Sequence, residues 1–147
     1  MNRYVYIGYR YTTSFPVVIQ ILDTEQGLPT TPVEGVSGTW IDATGNTTVQ
    51  VGWKAVESWD NGFSVFNFVE LTYEDYLVIA PVRIRMQQED AIQWLVSNPL
   101  QYKKDLEIAT PAEEAALLSY KQYFIALSEV KDQSGYPAAI NWPVAPF

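Results

Sequence analysis

The 147-residue chain contains no cysteine and no histidine. Without thiols there is neither disulfide nor thiolate chemistry. Without imidazole it lacks the commonest metal ligand and the usual general base near neutral pH. Basic residues are scarce too: 9 Lys and Arg stand against 17 Asp and Glu, a net charge of −8, and the acidic excess runs through both halves. A nucleic-acid partner would need a basic stripe to neutralise phosphates, so that class of partner is not expected. No apolar run approaches the roughly 18 residues of a membrane span. Met1-Asn2-Arg3-Tyr4 opens directly into an alternating pattern with no charged-then-apolar leader. The expectation is a soluble protein made in a cytoplasm, with no membrane partner.

What is present is apolar and aromatic: 48% of residues are hydrophobic and 14% are Phe, Trp or Tyr, enough for a core of its own. Between residues 3 and 80, apolar and aromatic residues alternate in short runs bounded by turn residues. The runs are Tyr4 to Tyr11, Pro16 to Leu22, Gly38 to Ile41, Thr47 to Val56 and Phe63 to Leu71. The breaks are explicit. Thr24 to Gly38 holds two prolines and three glycines, Ala43-Thr44-Gly45-Asn46 has hairpin length, and Asn61-Gly62 favours a type I′ turn. Five short strands at this spacing predict a small antiparallel sandwich or barrel.

Helical periodicity begins later. From Arg85 to Ser97, Met86, Ala91, Trp94 and Leu95 make an apolar face. Asn98-Pro99 interrupts it, and a second stretch covers Leu100 to about Glu107. The next helix start carries several signals at once. Thr110 is an N-cap, Pro111 occupies the first helical position where its missing N–H costs nothing, and Glu113 completes a capping box. Glu113 and Glu114 also place negative charge on the positive end of the helix dipole. That helix is expected to run to about Val130, with Leu117, Tyr120, Phe124 and Leu127 as its apolar stripe, widened by Leu118 and Ile125. Asp132, Ser134, Gly135 and Tyr136-Pro137 stop it. The two prolines between Ile140 and Phe147 leave only an extended tail.

The predicted fold class is therefore α+β. A small antiparallel β domain over residues 1–80 precedes a helical hairpin with an extended Trp-Pro tail over residues 81–147, the boundary lying near Ala80-Pro81.

Ala109, Thr110, Glu113, Glu114, Leu117, Leu118, Lys121, Tyr123, Leu127 and Val130, followed by Pro137, Trp142, Pro143 and Pro146, fall on a pattern that resembles the phage tail-fibre assembly proteins, over about residues 100–147. Tyr120 stands where that family usually has Trp. The resemblance implies a phage or prophage tail-fibre chaperone acting in the host bacterial cytoplasm. It would bind the C-terminal region of a trimeric tail-fibre protein, promote its folding and trimerisation, and in some relatives stay on the finished particle. No cofactor is implied, and a homo-oligomer is left open. For partner binding the sequence offers Tyr120, Tyr123, Phe124 and Trp142.

Two further readings stand beside this one. The acidic pairs Glu74-Asp75, Glu89-Asp90 and Glu113-Glu114 would attract a glycosidase or metal-site assignment. Neighbouring side chains on a helix diverge, however, and no Asp/Asn/Gly loop is present, so no catalytic residue, no metal site and no enzyme are expected. The alternative from another class is a carbohydrate-binding or adhesion module using exposed aromatics of the β region. Tyr4 and Tyr6 share one face of the first strand and Tyr9 and Tyr11 the other, with Trp40, Trp53, Trp59, Phe63, Phe66 and Phe68 following. For the tail, two roles remain open: a staple on the helices, or an arm that reaches the partner.

Overall fold

The computed structural model describes residues 1–147, which divide by residue contacts into an N-terminal unit, Met1–Asp75, and a C-terminal unit, Tyr76–Phe147. The order of elements is β1 (Asn2–Gly8), β2 (Val17–Thr24), β3 (Gly38–Asp42), β4 (Lys54–Asp60), β5 (Phe63–Val69), α1 (Tyr73–Ser97), α2 (Leu100–Asp105) and α3 (Pro111–Glu129). A single 3₁₀ turn, Val130–Asp132, closes α3. The architecture is α+β.

The strands form one antiparallel sheet in the order β3-β1-β2-β4-β5, not the sandwich or barrel that the strand spacing predicts. Both faces of β1, which lies between β3 and β2, are nevertheless covered. Val5 and Ile7 point into a core with Val18, Ala43, Val49 and Ala55, which Ile21, Ile41, Trp53, Phe66 and Phe68 flank. On the opposite face Tyr4 and Tyr6 are buried under the connection from β2 to β3 rather than under a second sheet. Their hydroxyls donate to backbone carbonyls of that connection, Tyr4 to Gln26 (3.2 Å) and Tyr6 to Val36 (2.9 Å). The Trp40 indole donates to Thr31 (2.8 Å) and its ring meets Tyr6 edge-on at 5.2 Å. The Pro- and Gly-rich segment thus replaces the missing layer, because three ring donors satisfy carbonyls that a strand would otherwise satisfy. Gly38 allows β3 to approach: a Cβ there would lie 2.1 Å from the Ile7 carbonyl oxygen.

Thr47 to Trp53, predicted as strand, is a loop. The Asn46 carboxamide oxygen accepts from the Thr48 and Val49 amides (3.1 and 3.0 Å), capturing donors that a strand ladder would need. Gly52 then turns the chain at φ 90°. Strand β4 consequently begins at Lys54 and meets β2 at one register pair, Val17 with Lys54. Beyond it β4 and β5 form a two-stranded ribbon closed at Asn61-Gly62, whose φ values of 48° and 82° suit the type I′ turn.

Helix α1 starts at Tyr73, well before the predicted Arg85. Thr72 and Asp75 cap it reciprocally: the Thr72 amide donates to Asp75 Oδ2 (2.9 Å) and the Asp75 amide to Thr72 Oγ1 (3.2 Å). Burial pushes the Asp75 carboxyl up. The Lys54 ammonium at 2.8 Å and the Thr72 amide and hydroxyl outweigh it and hold the group below its ordinary value. Pro81 lies inside α1, where it forgoes one helical hydrogen bond, and buried Ile79 and Ala80 precede it. The break at Asn98-Pro99 is as predicted, with the Asn98 side-chain amide donating to the Trp94 carbonyl (2.9 Å). No helix is long and apolar enough to cross a membrane.

Candidate functional site

In the C-terminal unit the aromatic residues converge. The start of α3 is fixed by the predicted capping box: the Glu113 amide donates to Thr110 Oγ1 (3.2 Å) and the Thr110 amide to Glu113 Oε2 (2.9 Å). Lys103 of α2 donates to Glu113 as well, so one carboxylate ties α2 to the first turn of α3. Lys103 first, and the Thr110 amide second, hold the Glu113 carboxyl below its ordinary value. This acidic residue is therefore occupied by capping.

With α3 so anchored, helical periodicity points Leu117, Tyr120, Tyr123 and Leu127 inward to meet Ala91 and Leu100, with Trp94, Leu95, Ala116 and Phe124 packed against them. The buried stripe is narrower than predicted. Leu118 and Ile125 are exposed, since each is about 100° around the helix from Leu117 or Phe124. Met86 of α1 is also exposed.

The sequence-predicted partner residues lie in or beside this core. Tyr120 and Tyr123 are buried, and burial pushes both phenols up, with Asp90 adding to the effect at Tyr123. Tyr123 also donates to the Gln87 side chain at 3.3 Å. Phe124 is half-buried beside Tyr120, ring centroids 6.0 Å apart. Trp142 is half-buried with the Arg83 guanidinium 4.1 Å above its ring.

The last residue belongs to the same assembly. Trp94 stacks against Tyr120 (5.9 Å) and against Phe147 (4.9 Å), and Phe147 meets Tyr123 edge-on at 5.7 Å. The tail is held at one further place by two bonds: Gln133 accepts from the Asn141 amide and donates to its carbonyl, both at 2.9 Å. In this chain the tail packs back on the helices, the contact that a staple requires. Sequence reading did not single out Trp94 or Phe147 as partners, because residues more than fifty positions apart carry no periodic signal linking them. Gly135 shapes the turn that begins this return, since a Cβ there would lie 1.9 Å from the Ala139 carbonyl oxygen.

Beside the stack, Ile92, Leu95, Val96, Pro99 and Tyr102 surround an apolar cleft of about 350 Å³ that Tyr120 also lines. Ile92, Val96 and Tyr102 are exposed, the latter two at 71% and 73%. Such a rim around a hydrophobic hollow can receive an apolar side chain from another protein.

The N-terminal unit disperses its outward rings. Trp59 and Phe63 at the ribbon tip are 72% and 75% exposed and Tyr9 is exposed as well. Trp59 pairs with Ser64 and Phe63 with Asp60, which places the two rings on opposite faces of the ribbon. A separate cleft of about 590 Å³ in this unit is lined by Tyr9, Phe15, Lys54, Glu57 and Phe66 among others. Its one cation, Lys54, is engaged by Asp75 and lies over the Phe15 ring.

Residues 85–147 match the family model described as Caudovirales tail fibre assembly protein, lambda gpK. The match supports a role in phage tail-fibre assembly for this chain, and it lies wholly within the C-terminal unit. No curated protein and no solved structure is a match.

Proposed function

We propose that the protein is a tail-fibre chaperone that binds the C-terminal tip of a trimeric fibre protein in the host cytoplasm and promotes its folding and trimerisation, by binding and not by catalysis. The observation that carries this reading is the coincidence of the family match with the unit that presents the apolar cleft and its exposed rim of Ile92, Val96 and Tyr102. Fibre tips are trimeric β structures assembled from long-range pairings, which form slowly and expose edges while incomplete. A protein that prefers the assembled tip favours it by mass action. Of Tyr120, Tyr123, Phe124 and Trp142, we assign direct contact to the half-buried Phe124 and Trp142. Tyr120 gives the cleft its shape and Tyr123 holds the stack behind it. Co-expression with the cognate fibre protein tests this. Val96→Asp and Tyr102→Ala, both at exposed positions, should lower the yield of soluble trimeric fibre while the free protein melts as before, as expected of interface anchors. Undiminished trimer with both variants would overturn the site.

A second reading rests on Trp59 and Phe63, whose exposure would suit a carbohydrate-binding module. Their placement on opposite faces of the ribbon denies them a common stacking platform, which weakens it. Binding of an isolated glycan in the absence of any fibre would favour this reading over the chaperone.

A further inference from the structure

The N-terminal sheet ends in a strand that lacks every usual form of edge protection. Strand β5 pairs with β4 on one side and with nothing on the other. Its seven residues, Phe63-Ser64-Val65-Phe66-Asn67-Phe68-Val69, include no charge, no proline and no glycine, and its register with β4 is continuous, without a bulge. Proteins ordinarily blunt such an edge with lysine, proline, a bulge or a covering segment, because the unpaired amides and carbonyls are a template for another strand. Peptide direction alternates along a strand. In the register that closes the ribbon through Asp60 and Phe63, the N–H and C=O groups of Ser64, Phe66 and Phe68 face away from β4. Phe63, Val65 and Val69 are exposed on one face of the same strand, so an added strand would find apolar neighbours as well as hydrogen-bond partners.

Charge decides what the added strand can be. Glu57, Asp60 and Glu70 surround the uncharged stretch, and the ribbon's one basic residue, Lys54, is bound to Asp75 at 2.8 Å. A second copy of this chain, itself at −8, would bring the same acidic flanks together, whereas a strand flanked by Lys or Arg would find opposite charge at both ends. We propose that β5 is a docking edge which accepts, by strand addition, an extended segment of a different protein, uncharged along its paired length and flanked by basic residues. This rests on the chaperone reading in one respect: the protein that supplies the strand is the fibre. It adds a contact that the family match, confined to residues 85–147, does not reach.

The test is capture of co-expressed fibre by the full-length protein. Ser64→Pro removes one outward amide and keeps the backbone ladder with β4, losing besides only the exposed Ser64 hydroxyl's bond to Glu57. Asn67→Lys places a guarding charge at an exposed position of the same edge in exchange for the Asn67 bond to Ser58. Each should lower the affinity for fibre about tenfold, with the melting temperature of the free protein only slightly lowered, and raising salt should weaken the wild-type complex. Wild-type affinity in both variants, with fibre still captured, would overturn the docking edge and leave the chaperone reading standing. Failure of the wild-type protein to bind fibre at all would overturn the chaperone reading and, with it, the partner named here. A dimer of the free protein that both variants convert to monomer would assign the edge to a second copy and also overturn the proposal.

Discussion

The two units of this molecule use aromatic rings in opposite ways. In the N-terminal unit each of the rings Tyr4, Tyr6 and Trp40 is fixed by its polar atom to a carbonyl of the β2–β3 connection, so the rings act as pins for a segment that has no secondary structure of its own. In the C-terminal unit Phe147, Trp94, Tyr120 and Phe124 lie one against the next, and stacking, more than hydrogen bonding, organises the core. The first arrangement lets a lone sheet bury both faces of β1. The second lets three helices and a proline-rich tail share one core. Outward rings follow the same division: those of the ribbon diverge, while the apolar residues around the C-terminal cleft face a common hollow.

The largest effect that could break this contrast is expected at Leu127, fully buried among the stacked rings. Leu127→Ala should cost about 3 kcal/mol, through lost burial and the cavity left behind. Urea unfolding followed by near-UV circular dichroism measures it. We further propose that the two units unfold separately, so that amide protection in β1 and β2 survives in this variant. Loss of that protection in step with the C-terminal signal would show that they unfold as one.

Removal of residues 138–147 comes next. The deletion strips Phe147 from Trp94 and Tyr123, and Trp142 from Arg83, and should cost about 2 kcal/mol, since both rings are only partly buried. Phe147→Ala alone should account for a good part of it. A truncated protein that melts like the full chain would mean that the tail contacts contribute nothing to the unit's stability.

A matched pair of hydroxyl deletions sharpens the contrast directly. Tyr6→Phe removes the bond to the Val36 carbonyl and leaves that acceptor without its ring partner, at a cost of about 1 kcal/mol. Tyr120→Phe keeps the ring and its stacking on Trp94, and should change stability by less than about 0.5 kcal/mol. Equal losses at the two positions would contradict the division between pinned and stacked rings.

Legibility in the sequence followed the range of the interactions involved. The start of α3 could be read residue by residue, because Thr110, Pro111 and Glu113 act within one turn and their geometry is fixed by spacing. The Asn61-Gly62 turn and the Asn98-Pro99 break were equally local. The signal at Thr72 and Asp75 is of the same kind as that at Thr110, yet Pro81, which reads in the sequence as a boundary, lies inside the helix. The run Thr47 to Val56 alternates like a strand. The loop there depends on one Asn46 side chain capturing two amides, a competition that hydrophobic periodicity does not register. The candidate site was legible in part. The α3 aromatics were visible as a stripe, but their burial depends on Trp94 and Phe147 arriving from distant points in the chain, and the cleft rim at Ile92, Val96 and Tyr102 depends on how α1 and α2 meet.

The smallest effect expected concerns the charge on Glu113, and its sign follows from the hydrogen bonds that hold it. Lys103 and the Thr110 amide favour the ionised carboxylate in the folded protein, so its folded pKa lies below the ordinary value of 4.5. As pH falls the unfolded chain takes up this proton first. The contribution of the ionised group to stability is therefore complete above about pH 4.5 and is lost as pH falls through the folded value. Glu113→Gln keeps a side-chain oxygen that can accept from the Thr110 amide, as capping boxes allow, but removes the charge that Lys103 and the helix N-terminus favour. The variant should be slightly less stable than wild type near neutral pH. The gap should close on acidification and vanish once the wild-type carboxyl is protonated, and added salt should narrow it because the pair is partly exposed. Urea midpoints of the two proteins between about pH 7 and pH 3 measure this. A gap that stays constant across the range would mean that the glutamate acts at this helix start by shape and hydrogen bonding alone, with its charge contributing nothing.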